Sequence, residues 1–369
     1  MKIGIDAKRI FLNQTGLGSY GRNLIAGLNE LKATDEFVLY STGKGKIFKT
    51  EQLGENFSSF ISGASVKAFW RSYSIIKNLK KDKIDLYHGI SSELPFSLKK
   101  HNEIVKIVDI HDLLFLRFPD FYALTDRKMF ELKTKFACEI ADKIIATSEA
   151  TKQDIINYYH TPADKIEVVY QSCSDAFYTE VSETAKNKIR KKYKLPEDFL
   201  LCVGTIQERK NQKQILEALK ISKTKIPLVL IGTGTKYKDQ LVAFAKEENL
   251  DLIIPDVFVK NGDLPAIYQM ARIFVFPGLY EGFGIPVLEA MASKIPVISS
   301  LNTSMAEIIN NMDCLINPLS AEDLAEKIDT FINIDTTEIV NKNYARALEF
   351  TNKKFAEKML KIYDEFRSK

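Results

Sequence analysis

The sequence lacks the features that mark membrane-spanning and nucleic-acid-binding proteins. Its 369 residues carry a formal net charge of only +4, which is too small to predict a nucleic-acid partner. No apolar run approaches the roughly 20 residues that a membrane-spanning helix needs. Charges at Lys2 and Asp6 interrupt the beginning of the chain, so no secretory signal is expected. Apolar residues make up 45% and charged residues 27%, a composition typical of soluble globular domains.

Cysteine is also scarce, and its spacing excludes two kinds of site. The four cysteines form no Cys-x-x-Cys pair and lie far apart, at Cys138, Cys173, Cys202 and Cys314. This spacing argues against a zinc site or a disulfide framework and favours a reducing cytoplasm. The sequence has no Walker loop, no Ser/His/Asp arrangement and no Asp-x-Asp motif that could hold a divalent ion against a diphosphate. We therefore predict no metal and no cofactor.

Basic residues cluster at 77–83 and at 186–194, and two interpretations stay open. A solvated helix face is the one we favour. The other is a patch that rests on anionic lipid headgroups, an option supported by the mixture of aromatic and cationic residues at 69–77. A buried amphipathic helix explains that mixture equally well. A peripheral contact with the inner face of the membrane is therefore a hypothesis beside a cytoplasmic location.

Short β-branched runs alternate with longer helical patterns along nearly the whole chain. Such alternation implies parallel sheets with helices on both faces. The runs that predict strands are 2–5, 37–40, 84–87, 104–109, 143–146 and 166–169 in the first half, and 199–203, 228–231, 252–254, 273–276 and 296–298 in the second. The pattern weakens between them, and we place a hinge near 172–185.

Two α/β domains follow from this pattern, and the tail at 344–366 predicts one long amphipathic helix. Ligands of open α/β sheets bind outside the carboxyl ends of the strands. Two such domains would enclose a cleft, so the loops that follow strands are the candidates for a site.

The segment 276–291 is the most informative of these loops because it places two carboxylates around a Gly-x-Gly sequence. Glu281 precedes the glycines, and Glu289 lies just inside a helix predicted to start at Pro286. Glycine allows a ligand close to the backbone, and the free N–H groups of a helix N-terminus attract phosphate. Two acids beside a phosphate would be repulsive unless they hold something neutral and rich in hydroxyls. A sugar attached to a nucleoside diphosphate fits, whereas a tight turn with chance acids is the alternative.

A cationic loop follows the predicted strand at 199–203. It contains Gly204, Arg209 and Lys210. Glycine leaves room for a ligand, Lys provides a point charge for phosphate, and Arg can donate two N–H groups to it. A solvated surface loop is the alternative, but the position after a strand favours anion binding. Because no metal motif is present, these cations are the predicted counter-charge for a departing diphosphate.

Two further candidates follow strands in the first half. Gly16 and Gly18 lie between the first strand and a helix, where backbone N–H groups can meet a phosphate, although a plain tight turn is as good an interpretation. His111 and His88 end neighbouring predicted strands, and a neutral imidazole there can bind a hydroxyl or transfer a proton. For His88 we favour a structural role.

Together these segments resemble the large group 1 family of retaining glycosyltransferases with the two-domain GT-B fold, over almost the whole chain. The most specific match is 281–289, the family's two-glutamate signature without alteration. The others are the N-terminal glycine loop at 15–24, the His-Asp segment at 109–113, the Ser-Glu-x-Thr segment at 147–151 and the Arg-Lys-Asn variant of the phosphate loop at 203–211.

The resemblance implies an α/β fold of two Rossmann-like domains that face each other across a cleft. Residues 1–175 would form the acceptor-side domain and residues 176–343 the donor nucleotide-sugar domain. Residues 344–369 would form a C-terminal helix that packs back on the first domain.

The resemblance also implies roles for the residues already singled out. The implied catalytic residues are His111, Glu281, Lys210 and Arg209. The implied donor-binding residues are Gly16, Gly18, Gly204, Arg209, Lys210, Phe258, Val259, Gly282, Phe283, Gly284, Ile285 and Glu289. In this set the cations hold the donor diphosphate, Glu281 touches the sugar hydroxyls, Glu289 binds the ribose, and the loop at 257–260 lies against the nucleobase.

Three departures from the family pattern bear on the hinge and on the shape near the donor base. Residues 172–175 stand where the family often has Gly-Val-Asp, and residues 304–307 stand where it has Leu-Pro-Glu. The glycine that usually follows is replaced around 310–311. The two-glutamate loop itself is intact.

The implied function is hexosyl transfer, with retention at the anomeric carbon and without a metal. The donor would be a nucleoside diphosphate sugar, and the acceptor a saccharide or lipid-linked saccharide in bacterial surface polysaccharide synthesis. The Arg-Lys-Asn variant favours mannose, while guanosine- and uridine-linked donors both stay open. One alternative is a GT-B epimerase or hydrolase of a nucleotide sugar, which would release product without an acceptor. Another is a non-catalytic nucleotide-sugar sensor, and the oligomeric state is left open.

Overall fold

The computed structural model of the chain describes residues 1–45, 47–234, 236–302 and 304–367. The chain divides into two compact units. The first consists of Met1–Cys173 together with Phe350–Lys369, and the second of Ser174–Glu349. Each unit is built on one parallel sheet flanked by helices.

Within the described residues, the first unit holds seven parallel strands in the order β3-β2-β1-β4-β5-β6-β7. They are β1 (Lys2–Asp6), β2 (Glu36–Ser41), β3 (Phe57–Ile61), β4 (Leu86–Gly89), β5 (Val105–Ile110), β6 (Lys143–Ala146) and β7 (Ile166–Val168). The helices are α1 (Lys8–Leu12), α2 (Gly16–Glu30), α3 (Lys67–Phe69), α4 (Ile76–Lys81), α5 (Leu114–Arg117), α6 (Leu124–Ile140), α7 (Glu149–Tyr159) and, from the end of the chain, α16 (Asn352–Asp364). A π-helical turn at Trp70–Ser74 joins α3 to α4.

In the second unit, the described residues form six parallel strands in the order β10-β9-β8-β11-β12-β13. They are β8 (Leu200–Val203), β9 (Leu228–Ile231), β10 (Leu252–Ile253), β11 (Ile273–Phe276), β12 (Val297–Ser300) and β13 (Leu315–Ile316). The helices are α8 (Glu183–Tyr193), α9 (Gln212–Ile221), α10 (Lys236–Glu247), α11 (Leu264–Met270), α12 (Ile285–Ala292), α13 (Ser304–Ile309), α14 (Ala321–Asn333) and α15 (Thr337–Ala347).

Every strand predicted from the sequence is present, and both sheets are parallel as predicted. Central strands such as β11 are buried along their whole length, because helices cover both faces of a parallel sheet. The sequence pattern does not predict two of the observed strands. β3 lies at the edge of the first sheet with exposed serines, and β13 has only two residues, so neither gives a continuous apolar run.

The end of the chain differs from the predicted single helix over 344–366. α15 ends at Ala347, and a 3-10 turn at Leu348–Phe350 separates it from α16. Thr351 has an extended backbone, and its hydroxyl accepts a hydrogen bond from the Lys354 N–H. This side chain therefore caps the start of α16 and divides the segment into two helices.

α16 packs on α2 at close range. A Cβ added to Gly27 would lie 2.2 Å from the carbonyl oxygen of Asn352, so the two helices can approach because residue 27 has no side chain. One face of α16 joins the core of the first unit, with Phe355, Ala356, Met359, Ile362 and Tyr363 all buried. Burial of this apolar face holds the end of the chain on the first unit.

Each sheet has one position where the strand order reverses. It lies between β1 and β4 in the first sheet and between β8 and β11 in the second. Connections leave such a switch point in opposite directions, which opens a crevice at the carboxyl ends of the strands. The loops after these four strands are therefore where ligand-binding side chains are expected.

No helix in the described parts of the chain is long and apolar enough to cross a membrane. The four cysteines are free thiols in buried positions. Burial raises the pKa of Cys202 to about 12, so this thiol stays protonated at neutral pH.

Candidate active site

Two loops of the second unit lie side by side at the switch point of its sheet. The first follows β8 and contains a 3-10 turn at Glu208–Lys210, and the second follows β11 and leads into α12. The Leu279 N–H donates to the Arg209 carbonyl at 3.0 Å, and the Asn211 amide donates to the Pro277 carbonyl at 3.1 Å. Asn211 makes this contact from a left-handed conformation with φ 57°, which asparagine tolerates better than most residues. Hydrogen bonds thus join the two loops into one surface.

At the centre of this surface one carboxylate is shared by two cations. Glu281 Oε1 lies 2.5 Å from Lys210 Nζ and 2.9 Å from Arg209 Nη1, and all three side chains are only 11–12% exposed. Two positive charges against one negative charge leave a net positive charge, which favours the binding of a further anion. Burial lowers the pKa of Lys210, and the charge of Glu281 acts against this effect. The structure therefore brings together three residues that the sequence predicts for one site.

Three buried serines hold the loop that carries Glu281. Each donates a 2.8 Å hydrogen bond from Oγ to a backbone carbonyl, Ser299 to Phe276, Ser300 to Gly278 and Ser304 to Glu281. Sequence reasoning missed them, although a pair of serines at the carboxyl end of an apolar strand was a usable signal. Ser304 belongs to a segment that departs from the family pattern, and its hydroxyl supports the backbone of Glu281 directly.

Glycines with positive φ shape both loops. Gly284 has φ 105° as the N-cap of α12, and Gly204 has φ 144° at the end of β8, conformations that L side chains rarely adopt. α12 begins at Ile285, so the positive end of its dipole lies at this loop. Gly282 and Phe283 are buried, so the Phe283 ring packs in the interior rather than at the surface of the loop.

Glu289, within α12, is paired with a tyrosine of α11. The Tyr268 hydroxyl donates to Glu289 Oε2 at 2.8 Å. Burial raises the pKa of Glu289 to about 7, although the hydrogen bond from Tyr268 acts in the opposite direction. A carboxyl group with this pKa changes from hydrogen-bond donor to pure acceptor near neutral pH.

The predicted base-binding loop at 257–260 is exposed except at Val259. The Phe258 ring is 65% exposed, whereas Val259 is 8% exposed. An exposed phenyl ring can stack on a nucleobase. Val259 packs in the protein interior, so its side chain is not available to a ligand.

In the first unit, His111 follows β5 and is held by several hydrogen bonds. Its Nε2 lies 2.9 Å from the Ile90 carbonyl oxygen. A carbonyl only accepts, so in the neutral imidazole Nε2 carries the proton and Nδ1 is an acceptor. The His111 carbonyl accepts from Thr147 Oγ1 at 2.9 Å and from Thr151 Oγ1 at 3.3 Å. The Ser-Glu-x-Thr segment thus holds the end of β5.

The two glycines predicted near the N-terminus have different surroundings. Gly16 begins α2, and an added Cβ would meet nothing within 4 Å, so this helix N-terminus has room for a ligand. An added Cβ on Gly18 would lie 2.0 Å from the Asn13 carbonyl oxygen, so packing requires this glycine.

His88 is fully buried between a carboxylate and a tyrosine hydroxyl, in agreement with the structural role that we favour for it.

Models of two glycosyltransferase families match the chain one after the other. Glycosyltransferase Family 4 matches residues 15–173, and Glycosyl transferases group 1 matches residues 185–348. The chain belongs to the group 1 glycosyltransferases. The second match contains the Arg209, Lys210 and Glu281 cluster of this glycosyltransferase.

Three known proteins are similar to this chain over different lengths. O-antigen chain mannosyltransferase B of Escherichia coli is 27% identical over 350 residues, which cover 89% of this chain and 90% of the relative. The serotype-specific mannosyltransferase WbdA of Escherichia coli is 28% identical over 257 residues, which cover 65% of this chain but 31% of the relative. The crystal structure of Anabaena HepE in complex with UDP-glucose has a TM-score of 0.75 at 17% identity, and the match covers 99% of this chain and 100% of that one. The chain that is the subject of this comparison, and not only its structural neighbour, has the GT-B fold.

Glu289 gives the stability of the chain a pH dependence. Its pKa is about 7 in the folded chain against an ordinary value of 4.5, so between these values the folded state holds a proton that the unfolded state has lost. This stabilisation is complete below about pH 4.5 and declines as the pH rises to about 7, by up to ~3 kcal/mol at ~1.4 kcal/mol per pH unit. Glu289→Gln should remove the decline, which thermal unfolding of both proteins at pH 5 and pH 8 will measure. The same fall in Tm for both proteins would contradict the raised pKa.

Proposed function

We propose that this glycosyltransferase moves a hexose, namely mannose, from a nucleoside diphosphate sugar to a hydroxyl of a saccharide or lipid-linked saccharide in surface polysaccharide synthesis. The observation that carries the proposal is the Glu281 carboxylate shared by Lys210 and Arg209 at the switch point of the second sheet. The mannosyltransferases among the relatives support the choice of mannose. The HepE complex supports a nucleotide-sugar donor.

Donor binding exchanges partners within the cluster. The donor diphosphate is attracted by the net positive charge and accepts hydrogen bonds from Lys210 and Arg209. Glu281 is then released to accept hydrogen bonds from the sugar hydroxyls. As the bond between the anomeric carbon and the diphosphate breaks, its electron pair leaves with the phosphate oxygen, where the two cations stabilise the developing charge. The acceptor oxygen bonds to the anomeric carbon, and its proton passes to the departing diphosphate.

Other residues complete the donor site in this proposal. Glu289 binds the ribose hydroxyls, Phe258 stacks on the base, and the N-terminus of α12 attracts phosphate. In the first unit, His111 Nδ1 can accept a hydrogen bond from a hydroxyl, and the amides at the start of α2, next to Gly16, can bind a phosphate. Retention at the anomeric carbon is part of the proposal and rests on family membership.

Loss of either charge in the cluster should remove most of the transfer activity. We expect Lys210→Ala and Glu281→Ala each to lower transfer at least ~100-fold, the scale of lost charge stabilisation in a transition state. The measurement is nucleoside diphosphate release from GDP-mannose and from UDP-glucose with a panel of oligosaccharide acceptors. Lys213→Ala is the matched control, because the Lys213 ammonium pairs with Glu217 on the surface of α9. Near-normal turnover in either cluster variant would overturn the assignment, and equal release without acceptor would indicate a hydrolase.

The cluster supplies positive charge that a metal ion supplies in many phosphate-transfer sites. We therefore expect transfer to continue at an unchanged rate after dialysis against EDTA. The comparison is made with the same enzyme supplied with magnesium or manganese. Strict dependence on either ion would count against a phosphate site built from protein cations.

A peripheral membrane contact is the last part of the proposal, and one surface of the first unit supports it. α6 exposes Leu124 and Leu132 to 58% and 63%, and Lys128 and Lys135 lie on the same face by helical periodicity. Aromatic rings connect this α6 surface to the π-helical turn, in the order Phe136, Phe96, Tyr73 and Phe69. Apolar side chains interspersed with lysines suit an anionic lipid surface.

Binding to vesicles tests this contact. The double variant Leu124→Ser/Leu132→Ser should bind less to vesicles of phosphatidylglycerol and phosphatidylcholine in a flotation assay, while transfer to a soluble acceptor stays unchanged. Leu319→Ser is the control, because Leu319 is 77% exposed in the second unit. Equal flotation of the double variant and the unmodified chain would overturn the role of the α6 surface.

A further inference from the structure

Tyr20 links the catalytic candidate His111 to the helix at the end of the chain. The tyrosine belongs to α2 and is fully buried. Its ring meets the His111 ring edge-on, with 4.6 Å between the centroids and 86° between the planes. The centroid of the same ring lies 5.1 Å from the centroid of the Phe355 ring in α16. A continuous aromatic contact therefore runs from α16 to the histidine.

The polar end of Tyr20 faces a second chain of contacts. Within the described residues, the Tyr20 hydroxyl and Asp109 Oδ2 are both buried without a well-formed hydrogen bond. Burial raises the pKa of the Tyr20 phenol, and the charge of Asp109 adds to this rise. Asp109 Oδ1 lies 2.7 Å from His88 Nε2, and His88 Nδ1 lies 2.8 Å from the Tyr363 hydroxyl of α16. α16 therefore contacts the Tyr20 ring through Phe355, and its Tyr363 is connected through His88 to Asp109.

His111 needs such support because one hydrogen bond does not fix an imidazole plane. Its Nε2 is bound to the Ile90 carbonyl, and its own carbonyl is held by threonine hydroxyls. The ring can still tilt about the Nε2–O axis, and a tilt redirects the lone pair of Nδ1. The edge of the Tyr20 ring restricts this tilt, as expected for a T-shaped aromatic pair.

We propose that Tyr20 is a positioning residue for His111, and that α16 keeps Tyr20 in place. The proposal rests on the role given to His111 under the proposed function. A helix that contributes no group to the reacting atoms thereby takes part in catalysis.

A double-mutant cycle between the two residues tests the proposal. Tyr20→Leu removes the ring and should lower kcat about tenfold with little change in the donor KM, since misplacement by ~1 Å can lower a rate up to ~100-fold. In the His111→Ala background the same substitution should not lower kcat further, because no imidazole remains to be positioned. Tyr20→Phe keeps the ring edge and should restore most of the rate that Tyr20→Leu loses.

Leu28→Ala controls for lost packing, because Leu28 lies two turns further along α2 in the same core. It should lower Tm but not kcat at a temperature where the variants are folded. If Tyr20→Leu does not fold, Phe355→Leu takes its place in the cycle. An equal loss of kcat in both backgrounds would overturn the proposal, as would an undiminished rate for Tyr20→Leu. Full activity of His111→Ala would overturn the proposed role of His111 as well.

Discussion

The Glu281 carboxylate is the group on which the site in the second unit depends. Two buried cations without such a partner would repel each other and carry a large desolvation penalty. By sharing one carboxylate, Lys210 and Arg209 each have an acidic partner within hydrogen-bond distance in a largely buried position, and the cluster holds two basic groups for one acid. Positive groups that are already in place need little reorganisation when an anion binds, and this preorganisation is the main source of electrostatic stabilisation in enzymes.

Hydrogen bonds to the backbone, rather than the charges themselves, fix the geometry of this cluster. Serine hydroxyls at the end of β12 and the start of α13 bind the carbonyls of the loop before α12, and Asn211 ties that loop to the one after β8. The positive φ of Gly284 then directs the chain into α12. These hydrogen bonds and the glycine restrict the backbone conformation of the segment that carries Glu281.

Much of this could be predicted from the sequence, and the failures have physical causes. Strands buried on both faces appear as continuous apolar runs, so both sheets were predictable, whereas β3 and β13 give no such run. The break between α15 and α16 consists of a 3-10 turn and a capping hydroxyl of Thr351, and the periodic apolar pattern of the segment does not reveal it. Glu281, Arg209 and Lys210 were each predictable as candidate site residues, but their shared contact was not, because it depends on the tertiary pairing of two distant loops.

Each unit places a polar group after a strand, and the two groups differ in how precisely their geometry must be fixed. Attraction between an anion and a net positive charge acts over several ångströms and tolerates small displacements. A hydrogen bond to one imidazole nitrogen depends on direction and weakens steeply when misaligned, so His111 needs more geometric support than Lys210. The cations and their acid therefore stand in two short glycine-containing loops, where local sequence reveals them. The support for His111 comes from α2, β4, β5 and α16, which are far apart in the chain and meet only in the folded unit.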